Sequence, residues 1–238
     1  MDDEQLLPRV RALRSQGLST NAITRALGVQ RSQVAPLVRA VAKEQTQAAA
    51  EAAVVGCWVS PGWSVGLTVG EGHDWPDREQ RGAEPSGLAG VLVARERRRA
   101  HGEVSVCGYL VDAYCLGVKD ALGPRSMSRG GLRRFVDRFF GGFDGEPIEA
   151  PIELARHLVW GAVEYARGLG FEPHRDFRPA AGHLGRLSCP SAIGFGCDGK
   201  PFYTQGPYDD VDRIMKTLED NVGMDNVHFL VSAPMETV

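Results

Sequence analysis

Residues 87–118, "GLAGVLVARERRRAHGEVSVCGYLVDAYCLGV", constrain the fold more than any other stretch. An apolar run, a charged loop and a second apolar run read as a β-hairpin whose second strand continues to Val118. Apolar residues occupy both faces of that second strand, so it belongs in the middle of a sheet and needs cover on both sides. Helical patterns follow at 128–140 ("SRGGLRRFVDRFF") and 151–169 ("PIELARHLVWGAVEYARGL"), with Pro151 at a first turn and Gly170 at a helix end. Upstream, "CWVSPGWSVGLTV" holds one or two short strands, and "GEGHDWPDREQRGAEPSG" (70–87) is a polar loop. Downstream, "AIGFGCDGKPFYTQG" predicts a hairpin turning at Asp198-Gly199, followed by a helix at 210–221 and a last strand, "VHFLVS". This order of elements predicts an α+β domain with a mostly antiparallel sheet over residues 57–238.

The front of the chain is different. Leu6, Val10 and Leu13 recur at helical spacing and Gly17 supplies a stop. Ser19 can cap a second helix with Ile23 and Leu27 facing inward. Gly28 makes a turn, Gln30 or Arg31 opens a third helix, and Val34, Leu37 and Val38 form its inner face. Residues 1–45 are thus a three-helix module, and "KEQTQAAAEAAV" (43–54), rich in helix formers but unpatterned, makes 46–56 a helical linker.

The pattern carried by Gly17, Leu18, Ser19, Ile23, Leu27, Gly28, Val29 and Val34 resembles the helix-turn-helix of bacterial regulators and site-specific recombinases. That resemblance implies DNA as the partner, with Gln30, Arg31, Ser32 and Gln33 at the groove and Arg25 and Arg39 on phosphates. Arginine and glutamine are the side chains that pair bidentately with guanine and adenine. Two departures stand out. Thr24 replaces the alanine usual at a tight helix contact, and Pro36 falls inside the third helix, removing the bond to the Ser32 carbonyl. Because the base-reading residues of this motif precede Pro36, the proline constrains the fit without excluding it. A single module of this size buries little surface, so a homodimer is expected.

Charge supports a local site and not a global one. Net charge is −3, but residues 1–45 are basic by three, leaving the rest acidic by six. No run of about 18 apolar residues occurs, so no membrane span is expected. The opening "MDDEQLLPRV" lacks the features of a secretory signal, so a cytoplasmic location is expected. Five cysteines without a CxxC pair suggest reduced, mostly buried thiols.

Other constellations each admit two readings. Arg95, Arg97, Arg98 and Arg99 at a hairpin tip form a second nucleic-acid contact or a solvated loop protecting a strand edge, and "GPRSMSRGGLRR" (123–134) adds positive charge nearby if the two runs meet. His157, Gly161, Glu164 and Gly168 share one helical stripe, where the glycines could open a groove for a ligand or a metal; with Asp176, His174 or Asp209 the stripe could serve a nucleic-acid hydrolase, or it is merely a helix surface. His174, Asp176, His183, Cys189 and Cys197 are ligand types too widely spaced for a strong zinc motif, so neither metal nor cofactor is expected. "GPYDD" (206–210) reads as Asp209 capping a helix, with Asp210 and Asp212 in its first turn. Asp112 sits inside an apolar run and needs a partner, Lys119 or an arginine.

"YLVDAYCLGVKDA", "HLVWGAVEYARGLGFEPHRDF" and "FGCDGKPFYTQGPYDD" together resemble an uncharacterised family of actinobacterial proteins in which such a domain follows a helix-turn-helix. The resemblance spans most of 88–231 and implies one coherent domain, with no activity or catalytic residue attached. The expected function is a DNA-binding transcriptional regulator whose second domain dimerises or senses a small molecule. The alternatives are the hydrolase and a protein-interaction adaptor.

Overall fold

The computed structural model describes residues 3–77, 86–97 and 102–231. The chain divides into two compact units, Met1–Glu51 and Ala52–Val238.

The first unit holds three helices, α1 (Asp3–Ser15), α2 (Thr20–Leu27) and α3 (Arg31–Glu51). Val10, Ile23, Val34, Val38 and Val41 form its core, with Leu7, Leu13, Leu18, Leu27, Val29 and Leu37 packed around them. Helix α3 continues through Pro36 and ends only at Glu51. Of the expected helical linker 46–56, residues 46–51 are the last part of α3, and Val54 starts the first strand. Pro36 is exposed, so its ring adds no burden to the core.

The second unit is α+β. Its sheet has five antiparallel strands in the order β5–β4–β3–β1–β6: β1 is Val54–Val59, β3 Leu88–Glu96, β4 Glu103–Asp112, β5 Gly117–Ser128 and β6 Ile148–Glu149. The remaining strands are short. β2 (Thr68–Val69) pairs antiparallel with β7 (Ile193–Gly194), and β8 (Phe202–Thr204) pairs parallel with β9 (His228–Leu230). Among the described residues, four α-helices and a short 3-10 helix (Met224–Asn226) complete the unit: α4 (Arg129–Phe140), α5 (Ile152–Gly168), α6 (Phe177–Leu184) and α7 (Val211–Asn221).

The central strands are covered on both faces, as their doubly apolar sequence requires. On one face Cys57, Val59, Val91, Val93, Cys107, Tyr109 and Val111 meet Leu154, Leu158 and Ala162 of α5 and Phe177, Ala180 and Leu184 of α6. On the other, Leu92, Ala94, Val104 and Val106 meet Leu132, Val136 and Phe140 of α4.

The hairpin differs from its sequence reading at both ends. At the far end the long second strand breaks after Asp112, whose Oδ1 accepts the amides of Tyr114 and Cys115, each at 3.0 Å. A short polar side chain thus bends the chain on its own backbone, and Cys115 lies in the turn, not in the strand with Cys107. All five cysteines are free thiols.

At the other end Arg95 is not at an exposed tip. It is only 2% exposed, because it continues the inward series Val91, Val93 on the face under α6. Its Nε donates to the His183 carbonyl at 2.6 Å, Nη1 to that of Ala52 at 2.6 Å and Nη2 to that of Leu184 at 3.3 Å. Hydrogen bonds to a charged group contribute about 1.5–3 kcal/mol each, and removing the group leaves the buried carbonyls unsatisfied. Arg95→Ala is therefore expected to lower the urea unfolding free energy by at least about 3 kcal/mol, while Arg97→Ala, at an exposed ion pair with Glu103, stays within about 0.5 kcal/mol. Equal losses in the two variants would contradict this assignment.

Candidate functional site

The first unit presents one polar surface around the α2–α3 turn. Ser19 caps α2 by accepting the Ala22 amide at 3.3 Å. Gly28 ends it in the left-handed conformation, with φ +65°, and its amide returns to the Thr24 carbonyl at 3.1 Å. A side chain at Gly28 would strain that turn. The Gln30 carbonyl then accepts the amides of Gln33 and Val34 at 3.1 and 3.3 Å, which starts α3. Thr24 is accommodated by turning its hydroxyl back onto the Thr20 carbonyl at 2.8 Å.

With Val34, Val38 and Val41 buried, Arg25, Gln30, Arg31, Ser32, Gln33 and Arg39 are all exposed. Arg39 follows Ser32 by seven residues and so stands on the same side of α3 about two turns on. From Ser19 to Ala42 the chain holds three arginines and no acidic residue. The surface is electropositive without any countercharge of its own segment.

The candidates in the second unit are dispersed. His157 is buried under β7; its Nδ1 accepts the Ala192 amide at 2.9 Å, and its carbonyl accepts the Ser191 hydroxyl at 2.9 Å. Burial, and then the neighbouring His73, lower its pKa. Its ring also lies 5.1 Å from that of Trp75. A base whose Nδ1 lone pair is committed to a backbone amide positions a loop and is not free to accept a proton from a substrate. Gly161 opens no groove: a Cβ there would come within 2.5 Å of Phe195 and 2.6 Å of Ser191, so the space is already filled. Glu164 is exposed, seven residues further along α5, about 10 Å along the axis. Among the described residues, no hydrogen bond or ion pair joins His157, Glu164 and Asp176.

Asp176 instead neighbours His174, which also faces Asp120; the His174 Nδ1 lies 3.8 Å from Asp176 and 3.5 Å from Asp120. Sequence spacing could not reveal this trio, because Asp120 comes from β5. Both carboxylates are exposed and His174 is half-buried, and the three side chains bring ligand-type atoms within 4.8 Å of one another at the surface. His183 is elsewhere, its Nε2 donating to the Ser105 carbonyl at 2.8 Å. Cys189 is exposed and Cys197 half-buried.

An open groove of about 540 Å³ lies along Cys197, Asp198, Lys200, Phe202, His228 and Phe229. Burial and the adjacent Asp198 raise the Cys197 pKa, which keeps it a thiol and a poor nucleophile. The expected hairpin here reduces to one bridge, Cys197 to Lys200, with Asp198 and Gly199 at φ +50° and +82°. The flanking strands find other partners in β2 and β9.

Two aspartates change roles. Asp210, not Asp209, caps α7 by accepting the Arg213 amide at 3.2 Å. Asp209 accepts from Lys119 Nζ at 2.9 Å, the Gly206 amide at 2.8 Å and the Tyr203 hydroxyl at 3.3 Å. Lys119 is therefore not the direct partner of Asp112, which its own turn amides hold. Of the hairpin arginines, Arg97 is exposed and paired with Glu103 at 2.7 Å, while Arg98 and Arg99 lie outside the described residues.

Comparison with protein-family models, with curated proteins and with solved structures finds no match to the chain. Among the described residues, no helix is long and apolar enough to cross a membrane.

The buried titratable groups set opposing pH responses. Burial lowers the His183 pKa to about 4, so its contribution to stability is present above the unfolded value of 6.5 and is lost as pH falls toward 4. Burial raises the Asp112 pKa to about 6, partly offset by the field of Lys119 and the turn amides. That group costs stability above pH 6 and releases the cost as it protonates between about 6 and 3.8. Asp112→Asn is therefore expected to steepen the loss of stability between pH 6.5 and 4, followed as urea midpoints. A mutant profile parallel to that of the parent protein would show that Asp112 carries no such linkage.

Proposed function

We propose that the chain is a DNA-binding protein, and that it regulates transcription through the surface at the α2–α3 turn. The observation that carries this reading is the exposure of Gln30, Arg31, Ser32 and Gln33 at the start of α3, on a segment without acidic residues and flanked by Arg25 and Arg39. A helix start bearing polar, bidentate-capable side chains suits a major groove, because the N-terminal residues of such a helix reach base edges first. Arg25 and Arg39, set to either side, serve phosphates and hold the register. Pro36 follows the reading residues and is exposed, so it interferes neither with them nor with the core.

A single reading helix contacts few base pairs, so the working species is a homodimer on a two-fold symmetric site. The second unit supplies the remaining surface for that dimer or for a ligand.

Arg31→Ala combined with Gln33→Ala is expected to erase preference for a selected duplex over random sequence, since each lost bidentate pair is worth about 1–3 kcal/mol of discrimination. The double variant should melt at the parental temperature, because both side chains are exposed. Mobility shifts at fixed salt against selected and random duplexes measure this; an unchanged preference would refute the reading.

A further inference from the structure

The second unit is net negative, with 20 basic against 25 acidic side chains over Ala52–Val238. One segment runs against that balance. Residues 125–138 hold Arg125, Arg129, Arg133, Arg134 and Arg138 against Asp137 alone. All five arginines are exposed. Helix α4 buries Leu132, Val136 and Phe140 against the sheet, and this turns Arg133, Arg134 and Arg138 outward.

Their arrangement is costly for an isolated helix. Arg129 and Arg133, and again Arg134 and Arg138, are like charges four residues apart, a spacing that destabilises a helix. Among the described residues, none forms an ion pair with Arg133, Arg134 or Arg138. The other two arginines contact neighbouring elements. Arg125 is held over the Phe135 ring at 5.6 Å, and Arg129 pairs with Glu96 at the end of β3. The Arg129 amide also donates to the Gly102 carbonyl at 3.0 Å, which brings the start of α4 to the mouth of the β3–β4 hairpin.

We propose that this β5–α4 face binds the phosphodiester backbone of duplex DNA without reading sequence, an inference that rests on the reading of the chain as a DNA-binding protein. Guanidinium groups match phosphate geometry bidentately. From Arg129 to Arg138 the helix rises about 13 Å, the span of roughly four phosphates of one strand. The outer face of α4 consists of Arg129, Gly130, Arg133, Arg134, Asp137 and Arg138 and bears no exposed apolar side chain. A protein partner needs an apolar or aromatic anchor to bind well, whereas a polyphosphate backbone needs only this charge.

The test uses the full chain carrying Arg133→Gln, Arg134→Gln and Arg138→Gln together. Affinity for random-sequence duplex is measured as a function of salt beside the parent and the Arg31→Ala/Gln33→Ala variant. The triple variant is expected to bind about tenfold more weakly near physiological salt, with a log–log salt slope shallower by about two to three. Its ratio of selected to random affinity stays parental, and its melting temperature is equal or higher because like-charge pairs are relieved. An unchanged slope and affinity would overturn the proposal, and is the result expected if the face is only solvated or meets an acidic protein. If the triple variant loses affinity while Arg31→Ala/Gln33→Ala keeps full selectivity, this face stands and the α2–α3 reading falls. Absence of any duplex binding by the parent protein would overturn both.

Discussion

The second unit depends on how it handles one buried cation. Arg95 occupies a core position of β3, yet a guanidinium taken from water must have its donors satisfied. Its partners are carbonyls that themselves need donors. His183 and Leu184 close α6, where the last turn of a helix leaves carbonyls without intrahelical amides. The Ala52 carbonyl stands at the entry of the chain into the unit. One side chain thereby fixes the start of the unit, the sheet and the end of α6. Arg156 Nε on the Leu184 carbonyl and Trp160 Nε1 on that of Gly185 add α5 to the same junction, and His183 returns to Ser105 on β4. The helical layer over this face is thus pinned by polar contacts at one level of the sheet and by apolar packing elsewhere.

Most of the architecture could be read from local pattern, because the elements that dominate it are periodic and well punctuated. Ser19, Gly17 and Gly28 delimit α2 through capping chemistry confined to a few residues. The apolar series on both faces of β4 called for cover on both sides, and α4 and α5 carry the stripes that provide it. What could not be read depended on distant chain. Alternation places Arg95 inward only if β3 runs to Glu96 and a helix covers that face. Helix α6 was hidden because "FRPAAGHL" is only eight residues long, contains Pro179 and Gly182, and buries just Phe177, Ala180, His183 and Leu184. The strand pairs β2–β7 and β8–β9 join segments far apart in sequence, and no turn signal announces them.

The same distinction separates the candidate sites. The α2–α3 surface is local: capping, one turn and the first residues of a helix define it, and which side faces water follows from where the valines are. The His157 stripe on α5 was equally visible as a stripe, but periodicity does not say what packs against it. Ser191 and Phe195 fill the gap at Gly161, and the Ala192 amide takes the imidazole, so a pattern suggestive of chemistry belongs to loop anchoring. Asp209 misled in the opposite direction. Its neighbour Asp210 performs the capping, and Asp209 joins Lys119 and Tyr203 across the fold.

Charge inside and charge outside then follow different rules in one unit. Asp112 is held by amides of its own turn, which offset only part of its burial, and Arg95 by carbonyls of two segments, so backbone dipoles positioned by the fold carry both groups. Such groups are committed, and their protonation or removal is felt as stability. Arg133, Arg134 and Arg138 of α4 are the reverse case: water already solvates them, no ion pair among the described residues holds them, and like charges four residues apart weigh against the helix that carries them. On the proposal made for this face, the conflict is relieved when a polyanion binds. In a unit otherwise rich in carboxylates, a partner of negative charge spread along a line recovers the most, because it neutralises several arginines at once and releases its own counterions in doing so.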